Sequence, residues 1–366
     1  MSDADDIRFM MLALTLGRRG LGNAWPNPAV GAVVVKNGVV VGRGWTQPGG
    51  RPHAEVEALG RAGEAGRGAT LYATLEPCSH HGKTPPCVDA IMAAGVARVV
   101  SSLEDPNPKI AGQGHARLRA AGVSVTLGVC ADEARRAHAG HIRRVRDGRP
   151  HVTLKLAVSA DGKAGLAGRR PAAITGERAR ERVHLMRAMN DAVLTGIGTV
   201  LADDPLLTCR LPGMEHRSPV RVVLDSELRQ PPTSRLAASA ARALDWTFAG
   251  ETVAQERERA LTDLGVEVLR VPGANGRLDL GAVLRGLAGR GITRVMVEAG
   301  PILSAALVAA DLVDEAALFR SPREIGADGI DALDGLPLTA LTQSTKLRWV
   351  SSEAVGTDSL DVFERA

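Results

Sequence analysis

The sequence predicts an α/β protein of two domains, and three observations lead to this prediction. The chain has 366 residues, which is more than one domain usually contains. Its first part has a hairpin pattern followed by alternating helix and strand patterns, as in layered α/β folds. A polar, turn-rich segment from Arg146 to Pro150 separates this part from a second run of strand and helix patterns. We therefore predict one domain at residues 1–147 and another at residues 151–366.

The composition is that of a globular protein with a mild positive charge. Hydrophobic residues make up 45% of the chain and charged residues 23%, so two apolar cores can form. Aromatic residues make up only 2%, which means that Ala, Val and Leu build these cores. A net charge of +4 and an isoelectric point near 9.1 favour phosphate-bearing ligands without requiring nucleic acid.

The sequence does not predict export or membrane insertion. The first residues, MSDADDIRFMMLALTLGRRG, place acids before the apolar part and lack the basic start and cleavage site of a signal peptide. We find no apolar run of about 18 residues that would span a membrane. Four Cys in the whole chain do not form a disulfide framework. We expect a cytoplasmic protein in which neighbouring Cys bind metal.

The first domain begins with a helix pattern and a hairpin pattern. Residues 5–19 have apolar side chains at helical spacing, with acids at the beginning and two Arg at the end. In GAVVVKNGVVVGRGW, Asn37 and Gly38 separate two β-branched runs, which is the strongest short-range hairpin signal. In chain order we then predict a helix at 53–62, a strand at 69–75, a helix at 88–94, a strand at 97–103, a helix at 114–121, a strand at 123–127 and a basic helix at 132–146. This alternation predicts three α/β layers.

The second domain has the same kinds of pattern. We predict a charged helix at residues 175–190 that is opened by Thr175, and two further helices at 279–288 and in PILSAALVAADL. The predicted strands are, in order, VTLKLAVS, AVLTG, residues 220–225, 243–249 and 266–271, ITRVMVE and EAALF. These elements predict a second α/β unit of ordinary domain size.

One imidazole, two thiols and a spare carboxylate lie between His53 and Cys87. His53, Cys78 and Cys87 are ligand types that zinc prefers, and three protein ligands leave the fourth tetrahedral position for water. We expect His53 and Glu55 at the start of one helix and both Cys at the start of another, where helix dipoles favour thiolates. Bound zinc would lower the pKa of water to about 7, and Glu55 would pass its proton to a leaving amine. This is the pattern of a zinc deaminase.

Two other interpretations of these residues remain open. A structural zinc site would need a fourth protein ligand, for which His80 or His81 is a candidate. Glu55 argues against such a site, since a closed zinc site has no use for a proton carrier. Alternatively, the two Cys are merely buried.

The spacing between the two Cys departs from the general deaminase pattern. Nucleoside and nucleic-acid deaminases have two residues between these Cys, whereas here eight intervene, SHHGKTPP. Lys83 can contact a phosphate, His80 can donate a hydrogen bond to it, and the prolines stiffen the loop.

The motifs PNPAVGAVVV, HAE, TLEPCSHHGKTPPC, DPNPKIAGQG, TLKLAVSADGK and VLADDPLLTCR together resemble the bifunctional deaminase/reductase family of riboflavin biosynthesis. The resemblance covers nearly the whole chain. It implies a cytidine-deaminase-like three-layer α/β/α domain that removes the exocyclic amine of a diaminopyrimidinone carrying phosphoribosylamine. It also implies a dihydrofolate-reductase-like α/β domain that reduces the ribosyl chain to ribityl with NADPH.

The resemblance assigns roles in the deaminase domain. It implies that His53, Cys78 and Cys87 bind one Zn²⁺ and that Glu55 is the catalytic proton carrier. Asn27 resembles the family's pyrimidine contact, and His80 and Lys83 its substrate and phosphate contacts. Without this resemblance, the position of Asn27 between two prolines predicts only a turn residue.

In the second domain the residues alone are less specific. There is no GxGxxG after a strand, so a Rossmann fold is not supported. Gly196 and Gly198 follow a strand, and Gly300 lies between a strand and a helix, where backbone amides can approach a phosphate. Each of these glycines is also compatible with a simple turn.

The resemblance adds residues that would bind the cofactor and the substrate of the reductase. It implies NADPH contacts from Ala157, Ala173, Thr199, Asp203, Ser226, Gly300, Pro301, Ile302, Leu303, Ser304, Ala305 and Ala306. It implies substrate contacts from Lys155, Arg187, Leu207, Arg210 and Glu298. Ala173 departs from the family, in which many members carry Trp there, and LFRSPREIGADGIDAL replaces a more apolar run.

Two of these positions, Lys155 and Asp203, also have simpler interpretations. Lys155 in its apolar strand could form a cross-strand ion pair or contact the pyrimidine carbonyl. Asp203, before another Asp and a Pro, could be a turn or cap residue. Arg187 and Arg210 could together bind the ribose phosphate.

Two rival functions belong to different classes. A nucleic-acid deaminase, such as one acting on tRNA, with an appended domain would need aromatic side chains to hold a base, and the chain has few. A non-catalytic zinc-binding scaffold would not need Glu55. We expect a small phosphorylated pyrimidine as substrate, no nucleic-acid or membrane partner, and a homo-oligomer.

Overall fold

The computed structural model describes residues 2–166 and 173–365. The chain divides into two compact units, Met1–Arg149 and Pro150–Ala366, each with its own sheet. No helix in the described part of the chain is long and apolar enough to cross a membrane.

The first unit is built on a five-stranded sheet in the order β2-β1-β3-β4-β5. Its elements are α1 (Asp3–Gly17), β1 (Gly31–Lys36), β2 (Val39–Trp45), α2 (Ala54–Ala62), β3 (Thr70–Ala73), α3 (Cys87–Ala93), β4 (Arg98–Ser101), α4 (Gln113–Ala120), β5 (Ser124–Leu127), α5 (Ala131–Ala137) and α6 (Ala139–Asp147). Strand β1 is antiparallel to β2 and β3, while β3, β4 and β5 are parallel. The predicted hairpin is confirmed, and Asn37 and Gly38 both have positive φ, as its tight turn requires.

Helices cover both faces of this sheet. Along β1, Ala32 and Val34 pack with α2 and α3, whereas Val33 and Val35 pack with α1 and α5. Side chains of a strand alternate between faces, so β1 is buried on both sides. The predicted three-layer arrangement is confirmed, and it places the beginnings of α2 and α3 against the same face.

The predicted basic helix at residues 132–146 is wrong in one respect, because it is two helices. His138 ends α5 and has non-helical backbone angles, φ −97° and ψ 11°. Its side chain is buried, and Nε2 lies 3.0 Å from the hydroxyl of Thr74. This tertiary contact accompanies the break between the two helices.

The second unit has a nine-stranded sheet in the order β11-β10-β9-β8-β14-β6-β15-β18-β17. Its elements are β6 (His151–Val158), β7 (Lys163–Leu166), α7 (Glu177–Ala188), β8 (Ala192–Gly196), α8 (Ile197–Asp203), β9 (Val220–Leu224), α9 (Arg235–Ala238), β10 (Asp245–Ala249), α10 (Gln255–Thr262), β11 (Glu267–Arg270), β12 (Gly273–Ala274), β13 (Arg277–Leu278), α11 (Leu280–Gly289), β14 (Arg294–Val297), α12 (Pro301–Ala309), β15 (Glu315–Arg320), β16 (Gly329–Asp331), α13 (Thr339–Thr342), β17 (Leu347–Val355) and β18 (Asp358–Arg365).

Seven neighbouring strands of this sheet, from β11 to β15, are parallel. Strands β18 and β17 then add an antiparallel hairpin at one edge. The sequence patterns predict the parallel strands but not this hairpin, whose outer strand is mostly exposed. The carboxyl ends of parallel strands meet at one edge of a sheet, which is where open α/β sheets bind ligands.

The helix predicted from Thr175 begins two residues later. Gly176 is the N-cap of α7, and no side chain caps this end. The N–H of Gly176 instead donates to the Asp358 carboxylate at 2.7 Å. A residue distant in sequence therefore fixes the start of this helix.

Candidate functional site

The first unit brings His53, Cys78 and Cys87 together. His53 is the N-cap of α2, and Cys87 is the first residue of α3. The three potential ligand atoms all lie within 4.8 Å of one another. His53 Nδ1 is 3.3 Å from Cys87 Sγ and 3.6 Å from Cys78 Sγ. Zinc bonds of about 2.0 Å to nitrogen and about 2.3 Å to sulfur, at tetrahedral angles, imply a separation of about 3.6 Å. The donor set therefore fits zinc.

Cys78 does not lie at the start of a helix, and this part of the prediction is wrong. It lies in the loop between β3 and α3. The backbone N–H of Cys87 donates to Cys78 Sγ at 3.2 Å, so the beginning of α3 still provides a donor to this sulfur. The sequence pattern locates α3 but cannot place a residue that stands nine positions before it.

The protonation of the two thiols differs because they share a hydrogen bond. The bond from Cys87 lowers the pKa of Cys78 to about 4, against the effect of burial and with help from His53. The same bond, together with burial, raises the pKa of Cys87. Cys78 is therefore the thiol that ionises more readily, and the thiolate is the form that binds a cation.

Glu55 is buried beside the three ligands. It is the second residue of α2, and only 3% of its surface is exposed. Burial raises its pKa, although the neighbouring His53 opposes the shift. Its carboxyl forms a hydrogen bond with Cys87. A buried carboxyl with a raised pKa can both take up and return a proton near neutral pH.

Asn27 contacts a ligand residue directly. Its Nδ2 lies 3.1 Å from His53 Nε2 and donates to the carbonyl of Gly50 at 2.8 Å. A Cβ on Gly50 would lie 2.8 Å from the Asn27 side chain, so this close approach requires glycine. Asn27 orients the ring of His53, since Nδ1 then faces the thiols.

The eight-residue insert lies at the surface. His80, His81 and Lys83 are all exposed, and none of them belongs to the ligand cluster. Arg51 donates a hydrogen bond to the Thr84 hydroxyl, which joins the insert to the segment before α2. Within the described residues, the cluster has three protein ligands, so the fourth ligand of a closed zinc site is not supplied.

Glu76 is a residue of this site that the sequence analysis missed. Its carboxylate accepts backbone N–H groups from Asp105 and Gly112 at 2.9 Å and from Gly114 at 2.8 Å. Only 7% of Glu76 is exposed. It therefore holds the segment 105–114 against the loop that carries Cys78. An acid at the end of a buried strand could have indicated this role, because a buried charge needs donors.

We expect Glu76→Gln to destabilise the first unit by about 1–3 kcal/mol, because an amide NH₂ cannot accept the N–H groups of segment 105–114. Denaturant unfolding measures the change in free energy. Glu104→Gln is the matched control, since Glu104 is exposed and lies next to the same segment. Equal stability of the two variants would contradict the role of Glu76.

The second unit contains a cavity of about 390 Å³, within the usual range for small-molecule sites. It opens at the carboxyl ends of β8, β9 and β14, beside the beginning of α12. Gly300 is the N-cap of this nine-residue helix, so its first backbone N–H groups are available to an anion. These glycine-rich walls fit the phosphates of a dinucleotide.

Most of the residues predicted to bind NADPH line this cavity. They are Thr199, Asp203, Ser226, Gly300, Pro301, Ile302, Leu303 and Ala306. Ala157, Ala173, Ser304 and Ala305 are not among the lining residues, and Ser304 and Ala305 are buried in α12. Two further parts of the lining were not predicted from the sequence: Ile330, which belongs to the segment after Phe319, and the hairpin of β12 and β13. The Asn275-Gly276 dipeptide could have indicated that hairpin.

Lys155, Arg187 and Glu298 form a charged cluster near β6 and β14. Arg187 Nε and Nη2 donate to the two oxygens of Glu298 at 2.6 and 2.9 Å, and Nη1 donates to the Thr208 carbonyl at 3.0 Å. Burial alone would raise the pKa of Glu298, but Arg187 outweighs it and lowers that pKa. Arg187 is thus held by protein groups, whereas the sequence analysis predicted a phosphate contact.

Lys155, Leu207 and Arg210 are the other predicted substrate residues. Burial lowers the pKa of Lys155, while the Glu298 charge opposes this shift. The Lys155 ammonium lies 6.0 Å from the centre of the Phe319 ring. Leu207 is buried, and Arg210 is exposed. The backbone N–H of Arg210 lies 3.3 Å from Nδ1 of His184.

Two family models match the chain. The RibD C-terminal domain matches residues 150–360, and the zinc-binding region of cytidine and deoxycytidylate deaminases matches residues 3–103. The riboflavin biosynthesis protein RibD of Escherichia coli is 42% identical and covers 96% of this chain and 97% of its own length. RibD of Aquifex aeolicus is 40% identical, with 98% of each chain covered.

Solved structures agree with these matches along the full length. Acinetobacter baumannii RibD is 34% identical and superposes with a TM-score of 0.88, covering 100% of both chains. A diaminohydroxyphosphoribosylaminopyrimidine deaminase/5-amino-6-(5-phosphoribosylamino)uracil reductase from Thermotoga maritima is 35% identical, with a TM-score of 0.85, and the match covers 100% of this chain and 99% of that one. The similarity therefore includes both units.

Proposed function

This chain belongs to the RibD family of riboflavin biosynthesis proteins, and from that premise we propose which residues carry its two activities. It is a bifunctional enzyme with a zinc-dependent deaminase and an NADPH-dependent reductase. The full-length relatives favour this function over a nucleic-acid deaminase or a zinc-binding scaffold. The proposed substrate of the first step is 2,5-diamino-6-(5-phosphoribosylamino)pyrimidin-4-one, and the second step reduces the ribosyl chain of its product to ribityl.

For the deaminase, the observation that carries the proposal is a buried Glu55 next to three convergent ligands. His53, Cys78 and Cys87 would hold zinc, which supplies a Lewis acid that activates water near neutral pH. Glu55 takes a proton from the attacking water and returns it to the leaving amine. Asn27 orients His53, and its position beside the cluster also allows a contact with the pyrimidine. His80 and Lys83 are exposed and can reach the substrate phosphate.

For the reductase, we assign the cavity at the carboxyl ends of β8, β9 and β14 to NADPH, which supplies the hydride. Lys155 and Glu298 face the substrate from β6 and from the end of β14. Since Arg187 is bound to Glu298, its part is to fix that carboxylate. Arg210 is then the exposed cation for the substrate phosphate, with Leu207 as an apolar contact.

The proposed function is tested with purified protein and the diaminopyrimidinone phosphate. We expect ammonia release by the zinc-loaded protein without NADPH, and loss of NADPH absorbance only after deamination. NADPH oxidation without prior deamination would contradict the order of the steps. No oxidation with the deaminated intermediate would contradict the reductase assignment. Light scattering of the same preparation tests the predicted homo-oligomer.

A further inference from the structure

The reductase cavity crosses the ends of several neighbouring strands. Its lining includes residues at the ends of β9, β8 and β14, and residues of β7, which follows β6. Strands β9, β8, β14 and β6 are adjacent in this order, and β7 follows β6 in the chain but pairs with β16 in a separate sheet. Neighbouring strands are about 4.8 Å apart, so the four span about 14 Å. An extended dinucleotide therefore has one half towards β6 and the other towards β9.

The proposed substrate residues Lys155 and Glu298 determine which half of the dinucleotide lies near β6 and which near β9. Lys155 belongs to β6, and Glu298 directly follows β14. Hydride transfer requires reacting atoms about 3–3.5 Å apart, so the nicotinamide must lie on the side of β6 and β14. The adenosine half is then at the β9 end. This orientation rests on the function proposed above for the cavity.

The β9 end of the cavity carries two arginines that the predicted cofactor residues do not include, Arg229 and Arg277. The Ser226 hydroxyl donates to the Gly276 carbonyl at 2.8 Å, which fixes the β12–β13 turn against the end of β9. Asn275 and Gly276 have φ of 53° and 72°, as a tight hairpin turn requires. Ser226 therefore holds Arg277 at the cavity edge.

Both guanidinium groups are available to a ligand. Arg229 is half-exposed, and its Nε is 3.9 Å from Asp225 and 3.8 Å from Glu227, beyond hydrogen-bond distance. The Arg277 side chain has no hydrogen-bond or ion-pair partner among residues 2–166 and 173–365. Among the described residues, the cavity lining contains two cations, Arg229 and Arg277, and one carboxylate, Asp203 at the end of α8.

We propose that Arg229 and Arg277 bind the 2′-phosphate of NADPH and thereby select NADPH over NADH. Sites that select NAD place a carboxylate on the ribose hydroxyl, whereas an arginine accommodates the 2′-phosphate. A guanidinium can donate two parallel hydrogen bonds to a phosphate. Asp225 does not compete for the ribose, because it is fully buried and accepts the N–H of Gln230 at 2.7 Å.

The experiment measures binding in the absence of turnover. The dissociation constants of NADPH, NADH, 2′,5′-ADP and 5′-AMP are determined by calorimetry for the full chain and for Arg229→Ala, Arg277→Ala and the double variant. We expect the double variant to lose about tenfold or more affinity for NADPH and 2′,5′-ADP, and less than about twofold for NADH and 5′-AMP. Arg277→Lys retains the positive charge but not the two parallel donors of the guanidinium. It should therefore lose less affinity for NADPH than Arg277→Ala.

Arg285→Ala is the matched control, because Arg285 is an exposed arginine of the same unit that does not line the cavity. Thermal unfolding shows whether each variant is folded. If the folded variants lose equal affinity for NADPH and NADH, or lose affinity for neither, the proposal is overturned. The cavity would then still be the cofactor site. Failure of the wild-type protein to bind either dinucleotide overturns the cavity assignment as well.

Discussion

Glu55→Gln is expected to abolish ammonia release while zinc remains bound. The amide cannot take a proton from the attacking water, and general acid–base catalysis contributes about 10²–10⁴-fold. His53, Cys78 and Cys87 are unchanged, so the zinc content should stay near one ion per chain. Metal analysis and an ammonia assay on the same preparation check both parts of this prediction.

The control for this variant is Glu57→Gln. Glu57 is on the same helix, but its carboxylate accepts a hydrogen bond from Arg61 at 2.8 Å and does not belong to the ligand cluster. We expect this variant to retain deamination. Deamination at the wild-type rate by Glu55→Gln would remove Glu55 from the mechanism.

Cys87→Ala is expected to remove both zinc and deamination but to leave the reductase active. With two of the three ligands left, zinc affinity should fall by more than about 100-fold, since loss of a mere supporting residue already costs 10–100-fold. The reductase should persist because the core around its cavity consists of residues of the second unit alone. Zinc content and NADPH oxidation with the deaminated intermediate are the two measurements.

Cys130→Ala provides the comparison for Cys87→Ala. Cys130 is a free thiol of the same unit that caps α5 and does not belong to the ligand cluster. The Cys130→Ala variant should leave the zinc content and both activities unchanged. If Cys87→Ala kept its zinc, a different set of ligands would have to be sought.

Local patterns predicted much of the fold. The hairpin at Asn37 and Gly38 follows from two adjacent residues that tolerate positive φ, so it could be predicted without tertiary information. The break at His138 and the start of α7 at Gly176 could not, because each accompanies a contact with a residue distant in sequence, Thr74 and Asp358 respectively. Propensity sums over neighbours and does not include such contacts.

In the candidate sites too, features set by local residue types could be predicted, whereas features set by contacts distant in sequence could not. The cluster of candidate metal ligands could be predicted because their residue types define the chemistry wherever the chain brings them together. The partner of Arg187 could not be predicted, because Glu298 is 111 positions away and accepts hydrogen bonds from Nε and Nη2 of its guanidinium. Arg277 was missed since its position depends on the Ser226 hydroxyl across the cavity edge.

The carboxylate of Glu76 has a consequence for the motions of the segment it holds. The amide hydrogens of Asp105, Gly112 and Gly114 are bonded to one side chain and not to a helix or strand. They should therefore exchange with deuterium slowly for a loop, and with similar rates, because a single opening of Glu76 exposes all three. An irregular segment beside the metal centre would then open as one unit.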